Sequence, residues 1–233
     1  MIPLRDNIPT LRFAYVTYLL IALNALVFVF ELTLDAAALN DLIGRFGYVP
    51  ALVTGTVRSG EFDLSIMATL LTSTFLHGGW VHFGGNMLYL HIFGNNVEDS
   101  MGRLRFLVFY LLIGAAANIG QIIVAADSVV PGIGASGAIA GVLGAYLLLY
   151  PRAGVLVLVP IIFYVRLFTV PAFVVLVFWF VIQVFQGSLT LAAGEAGAAG
   201  VAFWVHVAGF VLGMALILLF RNRQLTGGKN TWL

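Results

Sequence analysis

The sequence predicts an all-α fold, a polytopic membrane protein built as a bundle of six transmembrane helices. Three observations predict it. Hydrophobic residues make up 61% of the 233 positions and charged residues only 9%. Roughly a quarter of an ordinary soluble domain is charged, so this chain has too little polar surface to meet water on every side. The apolar residues also gather into six runs, most of them close to the ~20 residues that cross a bilayer as a helix.

The runs are Phe13–Phe30, Trp80–Val97, Leu104–Ala126, Ala135–Tyr150, Val170–Phe185 and Val201–Phe220. A short segment, 1–12, precedes them and a short tail, 221–233, follows, leaving 13–220 as the membrane domain. The first run is too long for the apolar part of a signal peptide and lacks a small-residue cleavage site, so it is expected to stay as a signal anchor. The connection after it carries Asp35, Asp41, Arg45, Arg58, Glu61 and Asp63. It is only moderately polar and is expected to lie partly in the interface. The second run is interrupted by glycine, histidine and asparagine, and the fourth is short.

Basic residues orient the bundle, because cytoplasmic loops carry the excess of lysine and arginine. Six spans put Arg5, Arg12, Arg103, Arg105, Arg152, Arg166, Arg221, Arg223 and Lys229 on one side and leave Arg45 and Arg58 on the other. Both termini are therefore expected in the cytoplasm, with the fourth helix opening at the outer face.

Several function classes drop out. A net charge of +1 without a basic patch argues against a nucleic-acid partner. The absence of cysteine excludes disulfides, thiolate metal sites and cysteine nucleophiles. No aspartate or glutamate falls inside an expected span, so a membrane aspartyl protease lacks its two carboxylates. The H-E-x-x-H pattern of zinc proteases is missing too. No metal or other cofactor is expected. A small-solute carrier would favour an internal repeat, and the two halves show no convincing one.

What remains is serine with histidine. The stretch PGIGASGAIAGVLGAY, Pro131–Tyr146, sets Ser136 among glycines where the chain enters lipid. Two readings stand: a small residue for close helix packing, or a nucleophile with room around it. His82 and Asn86 lie in the first turns of the second span, and His206 about five residues into the sixth, or ~8 Å at 1.5 Å per residue. All would reach similar depth below the outer surface. Polar groups in lipid are costly and by default mark function. A Ser136–His206 dyad is the simplest scheme, with histidine taking the hydroxyl proton and returning it to the leaving amine. His82 and Asn86, four apart on one helical face, can donate hydrogen bonds to an oxyanion, as can the Ser136 backbone N–H at a helix N-terminus. A non-catalytic clasp of His82 and Asn86 is the alternative. Gly137 with Gly141, and Gly209 with Gly213, form small-xxx-small pairs that let the fourth and sixth helices approach closely.

At these residues the sequence closely resembles the rhomboid family of intramembrane serine proteases. The resemblance runs from TFLHGGWVHFGGNMLYLHIFGNNVED, Thr74–Asp99, with His82 and Asn86 as H-x-x-x-N, through GRLRFLVFYLLIGAAAN. It continues with GASGAIAGVLGAY, whose Gly134 to Gly137 form G-x-S-G, and HVAGFVLG, with H-x-x-G-x-x-x-G from His206. It implies Ser136 as nucleophile, His206 as general base, and His82 with Asn86 in the oxyanion hole. Its implied substrates are single-span membrane proteins cut in or near the outer part of the span, in the lipid bilayer of a prokaryotic cell membrane. It implies the minimal six-helix bacterial or archaeal form. Two departures stand out: Ala140 occupies the position where some members stack a tyrosine on the histidine, and Arg45 in GRFGYVP is no counterpart of their Trp-Arg loop pair. A non-catalytic rhomboid-like protein that binds and escorts membrane proteins is the second hypothesis.

Other polar residues carry weaker expectations. His77 either lines a wet approach or caps the loop before the second span, and His91 is expected to make a structural hydrogen bond. Asn118 and Gln121 either hold helices together or store water. Trp80, Trp179, Trp204 and Trp232 read as interface anchors or packing. Leu189–Phe203, rich in alanine and glycine, is expected to act as a mobile lid, with the second and fifth helices as gates.

Overall fold

Helices dominate the structure, yet a small sheet interrupts them. The computed structural model describes residues 1–161, 164–198 and 200–222. Trp232, Arg223 and Lys229 of the expected tail lie outside the described residues. The chain runs through β1 (Ile2–Asp6), α1 (Tyr15–Glu31), α2 (Ala36–Phe46), α3 (Pro50–Ser59) and α4 (Leu64–Thr72). After a 3-10 turn at Ser73–Phe75 come α5 (Trp80–Tyr89), a π-helical turn at Leu90–Gly94, and α6 (Asn95–Met101). Then follow α7 (Arg103–Val124), α8 (Ser136–Leu149), β2 (Gly154–Ile161), β3 (Tyr164–Pro171), α9 (Ala172–Ala192) and α10 (Phe203–Phe220).

Three of the described helices, α7, α9 and α10, are each long and apolar enough to cross a membrane. Leu64–Phe75 with Trp80–Met101, bent by 82°, qualifies as a fourth if it is one broken span. The helices at the first and fourth expected spans, α1 and α8, are apolar but shorter, at 17 and 14 residues. Helix α8 is apolar on all sides because it is surrounded: Gly137 to Tyr146 are buried without a break. A helix hydrophobic all round belongs in a core.

The all-helical expectation needs one correction. β1, β2 and β3 form an antiparallel sheet in that order. In β2, Val155 and Val157 are fully buried while their neighbours are not, the period of two expected of a strand packed on one face. The fifth span is shifted as well. Val170 belongs to β3, and α9 runs on past Phe185 to Ala192, because Gln186, Gly187 and Ser188 do not end it. Gly187 is there for contact: a Cβ on it would lie 3.2 Å from Phe203 and Trp204 atoms.

Buried carboxylates at one end of the bundle are held by backbone. Glu98 accepts from the N–H groups of Val16 (3.1 Å) and Thr17 (2.7 Å) and from the Thr17 hydroxyl (2.8 Å), and so caps α1 from α6. Asp99 accepts from the Leu11 N–H at 2.7 Å. Asp6 accepts from Asn96 Nδ2 at 2.7 Å and from the Tyr146 hydroxyl, which ties β1 to α6 and α8. At the opposite end of α1, Glu31 accepts from the His77 N–H at 3.1 Å and fixes the loop that leads into α5.

The segment between α9 and α10 is tied down. Ser128 Oγ donates to the Gly197 carbonyl at 2.7 Å, and the Gln121 amide donates to the Ala196 carbonyl. The expected lid is also shorter than Leu189–Phe203, since its first four residues are the end of α9. Asn118 donates to the Leu70 and Gly114 carbonyls at 2.8 and 3.2 Å. Asn118 thus links α4 to α7, and Gln121 links α7 to the loop.

The tightest packing joins α8 to α10. A Cβ on Gly209 would lie 2.2 Å from the Gly137 carbonyl oxygen, and one on Gly213 would lie 2.0 Å from that of Gly141. On Gly144 it would lie 2.1 Å from the Phe210 oxygen. Backbone meets backbone here, so no side chain can yield. Gly213→Ala should therefore lower stability by about 1–3 kcal/mol, the usual cost of overpacking. Gly55→Ala, with open space around its Cβ, should not destabilise; unfolding in detergent reads both. Gln121→Leu, which removes one hydrogen bond worth about 1 kcal/mol, should speed amide exchange across 193–202 about fivefold, as read by deuterium exchange.

Candidate active site

One cavity of about 910 Å³ collects the polar residues singled out in the sequence. Ser136, His206, His82, Asn86 and Gly134 all line it, on α8, α10, α5 and the turn before α8. Trp80, Trp179, Asn118 and Gln121 line it too, and Ala196 to Ala198 with Gly200 to Ala202 come from the loop before α10. Among the described residues, no aspartate, glutamate, lysine or arginine lines it.

Ser136 is the first residue of α8 and is half-buried. Backbone N–H groups at that position have no intrahelical acceptor and lie at the positive end of the helix dipole. The turn that delivers it depends on Gly134, whose φ of +127° disfavours any side chain. Gly134 is anchored by its N–H to the Ser73 carbonyl at 2.8 Å. A Cβ on Gly134 would lie 2.6 Å from His82 Nε2 and 3.6 Å from Ser136 Oγ. The missing side chain is the space that brings the imidazole of α5 next to the serine of α8.

His82 has a defined orientation. Its Nδ1 accepts from the Gly78 N–H at 3.3 Å, which leaves the proton of a neutral ring on Nε2, the nitrogen that borders the gap at Gly134. Asn86 is 7% exposed, and its side-chain Nδ2 has no hydrogen-bond partner. A buried amide donor without a partner is rare in a folded protein. Two side-chain donors thus stand over the cavity: one with its proton directed by a backbone amide, one unpaired.

His206 is held from behind. Its Nδ1 donates to Gln183 Oε1 of α9 at 2.7 Å. Trp179, one turn earlier on α9, lies over the ring with centroids 5.8 Å apart at 36°. Trp179 thus supplies the aromatic contact that Ala140 does not, and it is more than an anchor. Sequence reasoning missed Gln183. The signal was present: Trp179 and Gln183 are four apart, one face of a helix, and Gln183 is a polar group within an apolar run. Among the described residues no hydrogen bond joins Ser136 to His206; hydrogen bonds of this kind often tighten only when substrate binds.

The glycine pairs perform the role expected of them. Gly137, Gly141, Gly209 and Gly213 line the α8–α10 contact rather than the cavity. His77 does not line the cavity either: its ring sits behind His82, 5.3 Å from it, and packs edge-on against Phe28 and Phe83. His91 departs from expectation, being exposed and lying 5.8 Å from the Tyr18 ring rather than in a structural hydrogen bond. Trp204 donates from Nε1 to the Gly187 carbonyl at 3.2 Å. Arg45 is exposed and pairs with Asp41.

Comparison with known proteins gives the family. The family described as Rhomboid domain matches residues 65–223. Over 132 residues, 56% of this chain, the sequence is 38% identical to rhomboid protease GluP of Bacillus subtilis, and the match takes in 24% of that protein. Rhomboid-like protein 11, chloroplastic, of Arabidopsis thaliana is 38% identical over 71 residues, 30% of this chain and 25% of its own length. The mitochondrial presenilin-associated rhomboid-like protein of Mus musculus is 32% identical over 113 residues, 46% of this chain and 30% of its own. The matched stretch thus spans about a quarter to a third of each of these relatives. The family match covers well over half of the sequence, and the chain belongs to the rhomboid family.

Proposed function

We propose that this rhomboid protein is an intramembrane serine endopeptidase that cuts single-span membrane proteins in or near their transmembrane segment. The observation that carries it is the convergence of Ser136, His206, His82 and the unpaired Asn86 amide on one cavity free of charged side chains. Ser136 Oγ attacks the scissile carbonyl carbon while His206 Nε2 takes its proton, and the carbonyl electron pair moves onto oxygen. That oxyanion is met by the His82 Nε2–H, the Asn86 amide and the Ser136 backbone N–H. Collapse breaks the C–N bond, the imidazolium returns its proton to the leaving amine, and water then cleaves the acyl-enzyme by the same route. No step needs a metal or cofactor.

Under the same proposal the six expected spans are α1, the α5–α6 stretch, α7, α8, α9 and α10, with both termini in the cytoplasm of a prokaryotic cell. The short α8 starts within the outer leaflet, so the cavity is supplied with water from the outer side. Substrate enters from lipid past α5 and α9, beneath the loop before α10. A second reading, a non-catalytic binder of membrane proteins, is favoured by relatives named rhomboid-like without the word protease.

Purified protein in detergent should cleave a model single-span substrate, and Ser136→Ala or His206→Ala should abolish the cut. Retained cleavage in either would refute the dyad. Asn86→Ala should slow turnover by ~10²–10³, the cost of one lost oxyanion donor. A fluorophosphonate probe should label the wild type and spare Ser136→Ala, whereas a binder would leave both unlabelled.

A further inference from the structure

We infer that Gln183 is a positioning residue for catalysis, the uncharged group that sets the tautomer and orientation of His206. The inference rests on the dyad reading above and adds its third member. A neutral imidazole carries one proton, and the nitrogen that holds it is decided by the partner of the other nitrogen. Gln183 Oε1 is an acceptor 2.7 Å from His206 Nδ1. It fixes the proton there and leaves Nε2 with a free lone pair, the only form able to take a proton from Ser136. His82 is set the opposite way, since its Nδ1 accepts from the Gly78 N–H and its Nε2 keeps the proton. The two histidines are thus given different tasks, one as base and one as donor, by what lies behind each ring.

The location supports a dedicated role. Gln183 is 8% exposed and does not line the cavity, so it touches the ring and not the space a substrate would fill. It stands on a helix whose neighbouring residues Val181 and Phe185 are exposed at 56% and 61%, an apolar setting in which a polar side chain is costly without a task. Trp179, four residues earlier, packs against the same ring at a tilt of 36°. The imidazolium formed during turnover still donates from Nδ1 to the same oxygen, so the contact need not rearrange between steps. The other titratable side chains of the cavity are His82 on α5, Tyr89 at the end of α5, and Tyr48 beside α3; α7 and α8 bring the neutral Asn118, Gln121 and Ser136.

The test compares kcat, KM and the pH–rate profile of Gln183→Met and Gln183→Glu in detergent on a single-span substrate, beside Ser136→Ala. Methionine keeps the bulk and removes the acceptor, and should lower kcat about 10–100-fold with KM little changed, the range seen when a partner of a ring nitrogen is lost in metal-bound histidines. Glutamate restores the acceptor, so turnover should recover to within a few-fold of wild type. Its negative charge favours the protonated ring, so the acidic limb of the profile should move to higher pH. A merely structural clasp would show as lost stability, without a kcat deficit that glutamate repairs and methionine does not. Wild-type kcat in folded Gln183→Met, or Gln183→Glu no faster than Gln183→Met, overturns the inference. If the methionine variant does not fold, Gln183→Leu, read by the same kcat and KM, takes its place. Cleavage by Ser136→Ala would instead bring down the dyad reading, an outcome distinct from failure of Gln183 alone.

Discussion

Direct backbone contact between α8 and α10 is the constraint on which the rest depends. Carbonyl oxygens of Gly137 and Gly141 occupy the space where Gly209 and Gly213 would carry side chains. In lipid there is little hydrophobic gain from bringing two helices together, so association relies on close van der Waals fit and small residues. The contact begins one residue after Ser136 and three after His206, so it sets how near those two side chains come. It also makes α8 the axis of the bundle. A helix buried on every side need not span the full hydrocarbon thickness itself, and α8 has only 14 residues.

Around that axis, two carboxylates are met by backbone. Glu98 and Glu31 each accept main-chain N–H groups from another element. Helix ends need such acceptors in any case, and in a medium that strongly penalises bare charge a carboxylate placed there serves two needs together. The candidate site follows the same logic with neutral groups. Gly78 and Gln183 set the two histidines without adding a charge to the cavity. Asn86 alone keeps an unpaired buried donor there among the residues proposed to act, which is the state expected of a group whose partner arrives with the substrate.

The parts of this fold governed by composition and short spacing were legible in the sequence. Apolar run length located α1 and α5 to α10 but not α2, α3 and α4, which lie in the expected connection, and three motifs on separate helices pointed to Ser136, His206, His82 and Asn86, which the structure brings to one cavity. The sheet was not legible because GVLVLVPI looks as apolar as the spans beside it, and its alternation of buried Val155 and Val157 with less buried neighbours appears only in the fold. The end of α9 was misjudged because Gln186, Gly187 and Ser188 resemble a helix terminator, while Gly187 is in fact a contact with α10. Gln183 escaped notice because a lone amide carries no motif, and its significance depends on which helix it faces. His91 was given a hydrogen bond because polar groups in spans usually have one, but the ring points outward against Tyr18.

The sheet has a bearing on how the molecule is made. β1 pairs with β2, and Asp6 reaches Asn96 and Tyr146, partners encoded 90 and 140 positions later. During synthesis the first strand must therefore wait, unpaired, while the ribosome delivers most of the bundle. Only once α8 and β2 have been made can β1 find its edge, so its docking waits for more than half of the chain and can still precede the arrival of α9 and α10.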